Sequence, residues 1–153
     1  MALRKLRLEG DEILRKKSRE VAEIDEKIKM ILNDMLDTMY ENDGVGLAAP
    51  QIGILKRLVV MDIGDDKTYK MINPKIIASS GKEVDQEGCL SVPEIKGDVS
   101  RPTSVTVVYT DENGKEITLT TEDHLLSRCI CHEIDHLDGI LFIDKAKNKV
   151  QKV

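Results

Sequence analysis

The sequence predicts an α+β fold from three observations: a long amphipathic helical stretch near the start, short Val- and Thr-rich strands in the middle, and a second capped helix near the end. The expected arrangement is a set of small antiparallel or mixed sheets packed around the C-terminal helix, which carries an HExxH motif, with a long N-terminal helix preceding them. With 153 residues and 41% hydrophobic content, the chain can bury one core and is short for two. Residues 1–153 therefore read as a single domain.

The first helix rests on Ile24, Ile28, Ile31, Met35 and Met39, with Leu32 and Leu36 beside them, at helical spacing among charged and polar positions. Asp25 is its natural N-cap, and the turn formers Glu41-Asn42-Asp43-Gly44 end it. A loop of mostly small residues follows, Gly44-Val45-Gly46-Leu47-Ala48-Ala49-Pro50-Gln51. Leu58 to Met61 reads as a buried strand and Asn73-Pro74 as a turn, with shorter strand pieces at Ile76-Ile77 and Val84. Ser104 to Thr110, the Asn113-Gly114 turn and Glu116 to Thr120 give the clearest hairpin signal. The second helix is predicted from the capping-box spacing of Thr120 and Asp123, runs through Leu125, Leu126, Cys129, Ile130 and Ile134 to Leu137, and is stopped by Gly139.

Composition narrows the function classes. Charged residues of both signs make up 33% and the net charge is -5, so the basic footprint of a nucleic-acid binder is missing. Aromatic residues are 3% with no Trp, which argues against base-stacking platforms. Met1-Ala2-Leu3-Arg4-Lys5-Leu6-Arg7 leads into charged residues rather than an apolar export region, and no stretch approaches a membrane span; the expectation is a cytoplasmic protein without membrane contact. Three cysteines without an export signal point to reduced thiols, available as ligands.

His132-Glu133-Ile134-Asp135-His136 is HExxH. On a helix, two histidines four residues apart share one face and reach a single cation, with Glu133 close by. By average residue usage, a chance match in a chain of this length is on the order of a few per thousand. A hydrolytic metal needs a third protein ligand. The metzincin continuation fails, because Phe142 stands where a third His belongs; a downstream Glu is impossible, because no Glu follows Glu133. The candidates are therefore upstream. Cys89, in Glu87-Gly88-Cys89-Leu90-Ser91, can fold across to the helix. Cys129 lies one turn before His132 among Leu125, Leu126 and Ile130, where packing is the preferred reading; Cys131 points away from the histidine stripe, and His124 is a solvated surface residue. A thiolate with two neutral imidazoles favours zinc on affinity, and other transition metals remain open to it.

Three separated segments, Gly44 to Gln51, Glu87 to Ser91 and His132 to Leu137, together resemble the signature motifs of bacterial peptide deformylases, and Gly10-Asp11-Glu12-Ile13-Leu14-Arg15 resembles that family's N-terminal segment. The resemblance runs from near the start to about Phe142. It implies removal of the formyl group from N-formylmethionine at the start of nascent polypeptides, with one divalent metal per chain, Fe(II) expected and zinc, nickel or cobalt as substitutes. By the same resemblance Cys89, His132 and His136 become metal ligands, Glu133 the acid–base group, and Gln51 with the Leu90 N–H the oxyanion donors. Gly46 would offer backbone hydrogen bonds to substrate, and Leu125 and Cys129 on the His132 face, with Val45 opposite, would wall a methionine pocket. Arg128 and Cys131 depart from an apolar residue and a Gln expected in many relatives, and Arg128 is a candidate to narrow the pocket or meet substrate backbone. The resemblance also implies transient association with the ribosome, which longer family members approach with a C-terminal helix. Here Lys145, Lys147, Lys149 and Lys152 occupy a short tail, read as a solvated, disordered end. A competing reading, from HExxH alone, is a zinc endopeptidase.

Overall fold

Two helices and eight strands carry the fold, and the computed structural model describes residues 2–151 of them. Helix α1 spans Glu26–Glu41 and helix α2 spans His124–Leu137. Strands β1 (Gly46–Ala48), β2 (Leu58–Met61), β3 (Tyr69–Ser80), β6 (Ser104–Thr110) and β7 (Glu116–Thr121) form one antiparallel sheet in the order β1-β2-β3-β6-β7. Strands β4 (Glu83–Cys89), β5 (Val92–Arg101) and β8 (Lys147–Gln151) form a second antiparallel sheet. The α+β class is as expected. The ladders are antiparallel throughout, and the one parallel pairing among the described residues is an isolated bridge, Arg19 to Lys56.

Alternation along β2 explains how the larger sheet separates the helices. Val59 and Met61 join Met71, Val105 and Val107 in packing with Leu126, Ile130, Ile134 and Leu137 of α2. Leu58 and Val60 point to the other face and pack with Ile28, Ile31, Leu32, Met35 and Met39 of α1. Burial on both faces is why Leu58 to Met61 is apolar at every position. A third cluster, Leu14, Val92, Val99, Leu141 and Phe142, closes the smaller sheet.

Asp25 caps α1 as predicted, its carboxylate accepting from the Ile28 N–H at 3.0 Å. Ile24 lies ahead of the helix and extends its apolar stripe from outside. Three expectations are corrected. Asn73-Pro74 is a bulge inside the continuous strand β3, not a turn: Asn73 takes φ 53°, the register shifts between Ile72 and Lys75, and the Asn73 amide bonds both the N–H and the C=O of Val21. Thr120 is not part of a capping box, because pairing with β6 holds it extended in β7, where its hydroxyl meets that of Thr106. Asp123 caps α2 by itself, accepting from the Leu125 and Leu126 N–H groups. The lysine-bearing tail is also ordered where described: Lys147–Gln151 is β8, paired with β5, and Lys145 meets Asp135 at 3.0 Å. Lys152 lies outside the described residues.

Gly139 ends α2 with φ 75° directly against the chain at Arg15, whose carbonyl oxygen and carbon would overlap any Cβ at this position. Gly139→Ala is therefore expected to lower stability by about 1–3 kcal/mol, the cost of left-handed strain with a backbone clash. Thermal unfolding should show a drop of several degrees. An unchanged midpoint would mean that the Arg15 segment yields freely.

Candidate metal centre

The end of β4 and the inner face of α2 meet under the cleft mouth. Cys89, His132 and His136 each present a ligand atom within 4.8 Å of the others, and Cys89 Sγ lies 3.3 Å from His136 Nε2. The helix supplies the histidines on one face by their four-residue spacing, their ring centroids 5.0 Å apart. The strand supplies the sulfur because a register shift between Glu87 and Cys89 turns the chain as β4 ends. The three side chains that the sequence nominated as ligands are therefore brought together. Cys129 and Cys131 do not join the group; both are buried in the core beside Ile130. Burial, with the charge of Glu133 second, pushes the Cys129 thiol well up, so it stays protonated. His124 is 60% exposed and faces the Glu83 carboxylate at the surface.

The surroundings fit a divalent cation. His132 Nδ1 is held by Glu87 Oε1 at 2.9 Å, which leaves Nε2 as the ligating nitrogen. Burial opposes protonation of His132, but Glu133, Cys89 and Glu87 beside it raise its pKa above the ordinary value. The charged Glu87 carboxylate behind His132 also favours a cation at the ring's other nitrogen. Burial and the neighbouring His132 hold His136 well below the usual imidazole range, in the neutral form that ligates. Glu133 is 4% exposed, and its Oε1 is buried without a hydrogen-bond partner among the described residues. Desolvation pushes its carboxyl up to about 7, with Glu87 adding and His132 opposing. A buried carboxylate with an unengaged oxygen beside three ligand groups is a group poised to exchange a proton.

Gln51 bonds in two directions. Its Oε1 accepts from the Ala48 N–H at 3.0 Å, capping the 3-10 turn at Ala49–Ile52, while its Nε2 donates to Ser91 Oγ at 3.0 Å and toward Cys89 Sγ at 3.6 Å. Gly46 is close to Glu133: a Cβ there would stand 2.6 Å from Glu133 Oε2 and 2.7 Å from Cys129 Sγ. A cleft of about 650 Å³ opens above the triad, and Val45, Gly46, Leu90, Leu125 and Cys129 all lie on its walls. Val45 and Leu125 are half exposed at the mouth, while Cys129 is buried deeper in.

Glu87, Arg101, Ser91 and Arg128 are the residues whose site roles the sequence reading missed. Glu87 is 6% exposed and meets Arg101, which is 3% exposed and also reaches Asp135 at 2.6 Å. Burial would raise the Glu87 carboxyl, but His132 and Arg101 outweigh it and hold it well below the usual carboxylate range. Arg128 does line the cleft, as expected of a residue that narrows it, and its guanidinium also donates to Glu87 Oε2, the Val99 carbonyl and the Glu83 carbonyl, partners that the sequence did not suggest. The available signal was charge inside strands that must bury a face, at Glu87 and Arg101.

A helix-borne HExxH pair facing a strand thiol, inside an α+β fold with a cleft over it, defines a metal-dependent hydrolase. The polypeptide deformylase family model matches residues 3–152. The chain is 57% identical over 145 residues to peptide deformylase 1 of Clostridium acetobutylicum, covering 95% of each chain. Among solved structures, a peptide deformylase from Legionella pneumophila superposes with a TM-score of 0.92 at 44% identity, covering 96% of this chain and 88% of that one. A peptide deformylase from Synechococcus elongatus in complex with actinonin gives 0.91 at 46% identity, covering 94% and 80%. The chain belongs to the polypeptide deformylase family.

Proposed function

We propose that this chain removes the formyl group from N-formylmethionyl polypeptides, releasing formate and a free amino terminus. The observation that carries the reading is the meeting of Cys89, His132 and His136 beside a buried Glu133 under the cleft. In this reading Cys89, His132 and His136 hold one divalent cation, Fe(II) in the family's usual form, with zinc, nickel or cobalt as alternatives. When bound, the cation polarises the formyl carbonyl and acidifies the attacking water.

Everything else falls to the chain's own groups. Glu133 takes the proton of the attacking water on its carboxylate and returns it to the amine nitrogen as the amide C–N bond breaks. Gln51 Nε2 and the Leu90 N–H donate to the oxygen on which charge develops, a contribution commonly of about a hundredfold or more in rate. The Gly46 backbone pairs with the substrate main chain, and Val45, Leu125 and Cys129 pack against the methionine side chain. Glu87 keeps the His132 ring oriented throughout. In this reading the enzyme acts on nascent chains in the cytoplasm, in transient contact with the ribosome that presents them. No helix among the described residues is long and apolar enough to cross a membrane.

Family membership favours deformylation over the zinc endopeptidase reading. Protein loaded with iron, nickel or cobalt is expected to release formate from a formyl-Met peptide and to leave an N-blocked, unformylated peptide intact. Internal cleavage of the second peptide, or no formate from the first with any of the three metals, contradicts the proposal.

A further inference from the structure

The strand that carries Cys89 and the helix that carries the histidines belong to different layers, so their spacing must be fixed by something other than either element. Four hydrogen bonds converge on the Glu87 carboxylate between them. Oε1 accepts from Arg101 Nη2 at 3.0 Å and His132 Nδ1 at 2.9 Å; Oε2 accepts from Arg101 Nε at 2.9 Å and Arg128 Nη1 at 2.7 Å. All the acceptor positions of the carboxylate are filled. Arg128 and His132 are four residues apart on α2, so one helix face grips the same carboxylate twice.

Arg128 does more than neutralise charge. Its Nη1 also donates to the Val99 carbonyl at 2.8 Å, and its Nη2 donates to the Glu83 carbonyl at 2.9 Å. Glu83 and Cys89 are the first and last residues of β4. A planar fork anchored on α2 thus holds the start of the strand by its backbone and the approach to Cys89 through Glu87. We propose that Arg128 is a positioning residue for the metal centre, clamping the strand of Cys89 to the helix of His132 and His136. Without it, Glu87 Oε2 keeps only Arg101, a residue of β5, and the start of β4 keeps from α2 only the solvent-exposed contact of the Glu83 carboxylate with His124, which does not touch Glu87.

The inference rests on the reading that the triad holds the cation, which nickel stoichiometry in the unaltered protein tests by itself. The experiment loads the unaltered protein, Arg128→Met and Arg128→Lys with nickel and follows its release to an excess of chelator well below every unfolding temperature. Arg128→Met should release nickel about tenfold faster or more, the usual effect of removing a group that orients ligands. Arg128→Lys, which keeps a point charge and loses the fork, should fall between. Nickel release from Arg128→Met at the unaltered rate, whether or not its metal-free form unfolds at a lower temperature, overturns the proposal. If Arg128→Met does not fold, Arg128→Lys decides alone: release several-fold faster sustains the clamp, and an unaltered rate overturns it.

Discussion

Glu133→Ala is expected to bind one metal per chain, as the unaltered protein does, and to lose turnover by about a hundredfold to ten-thousandfold, the span that a positioned general acid–base group contributes. The loss should fall on kcat with little change in KM, because Glu133 acts on the proton rather than on the methionine side chain. The fold should not suffer. Glu133 buries a carboxyl whose Oε1 has no partner among the described residues, and a group of that kind costs stability rather than supplying it. An equal or higher unfolding temperature for the metal-free variant would show that the site keeps this residue for chemistry. Unchanged formate release would move the proton to another group.

Cys89→Ala should fail in the opposite manner, with metal content falling from about one per chain to near zero after dialysis and activity disappearing with it. Two histidines alone make an incomplete set, and the thiolate is the one anionic ligand of the three. Cys89 lies where β4 ends, only partly buried, so the ladder with β5 and the cluster of Leu14, Val92, Val99 and Phe142 should persist and leave the circular dichroism spectrum unchanged. The pair of variants separates holding the cation from using it. Full metal retention in Cys89→Ala would transfer the third ligand to another thiol, and Cys129, one helical turn before His132, would be the first to test.

Much of this was legible in the chain because the relevant signals are local. Asp25 and the Ile28, Ile31, Met35 stripe specify α1; Asn113-Gly114 between two Val- and Thr-rich runs specifies the β6–β7 hairpin; HExxH within a capped stretch puts both histidines on one face of α2. Each depends on residues a few positions apart, and helical or strand periodicity alone converts that spacing into geometry. The absence of a downstream His or Glu turned the search for a third ligand upstream, and the resemblance singled out Cys89 as the candidate.

Tertiary structure decided the rest, for one physical reason: charge and turn chemistry have no fixed meaning until a distant partner is present. Asn73-Pro74 carries turn-forming residues, yet Val21, 52 positions away, takes up the asparagine amide and the chain continues as a bulged strand. Arg128 reads in the sequence as a cation at the pocket wall, and only the arrival of β4 and β5 shows that it also binds Glu87 and two strand carbonyls. Glu87 and Arg101 are two charges among many in the sequence; buried together against His132, they fix the orientation of its ring. The identities of the groups around the centre were written along the chain, and their partnerships were made only when two strands of one sheet closed over one face of a helix.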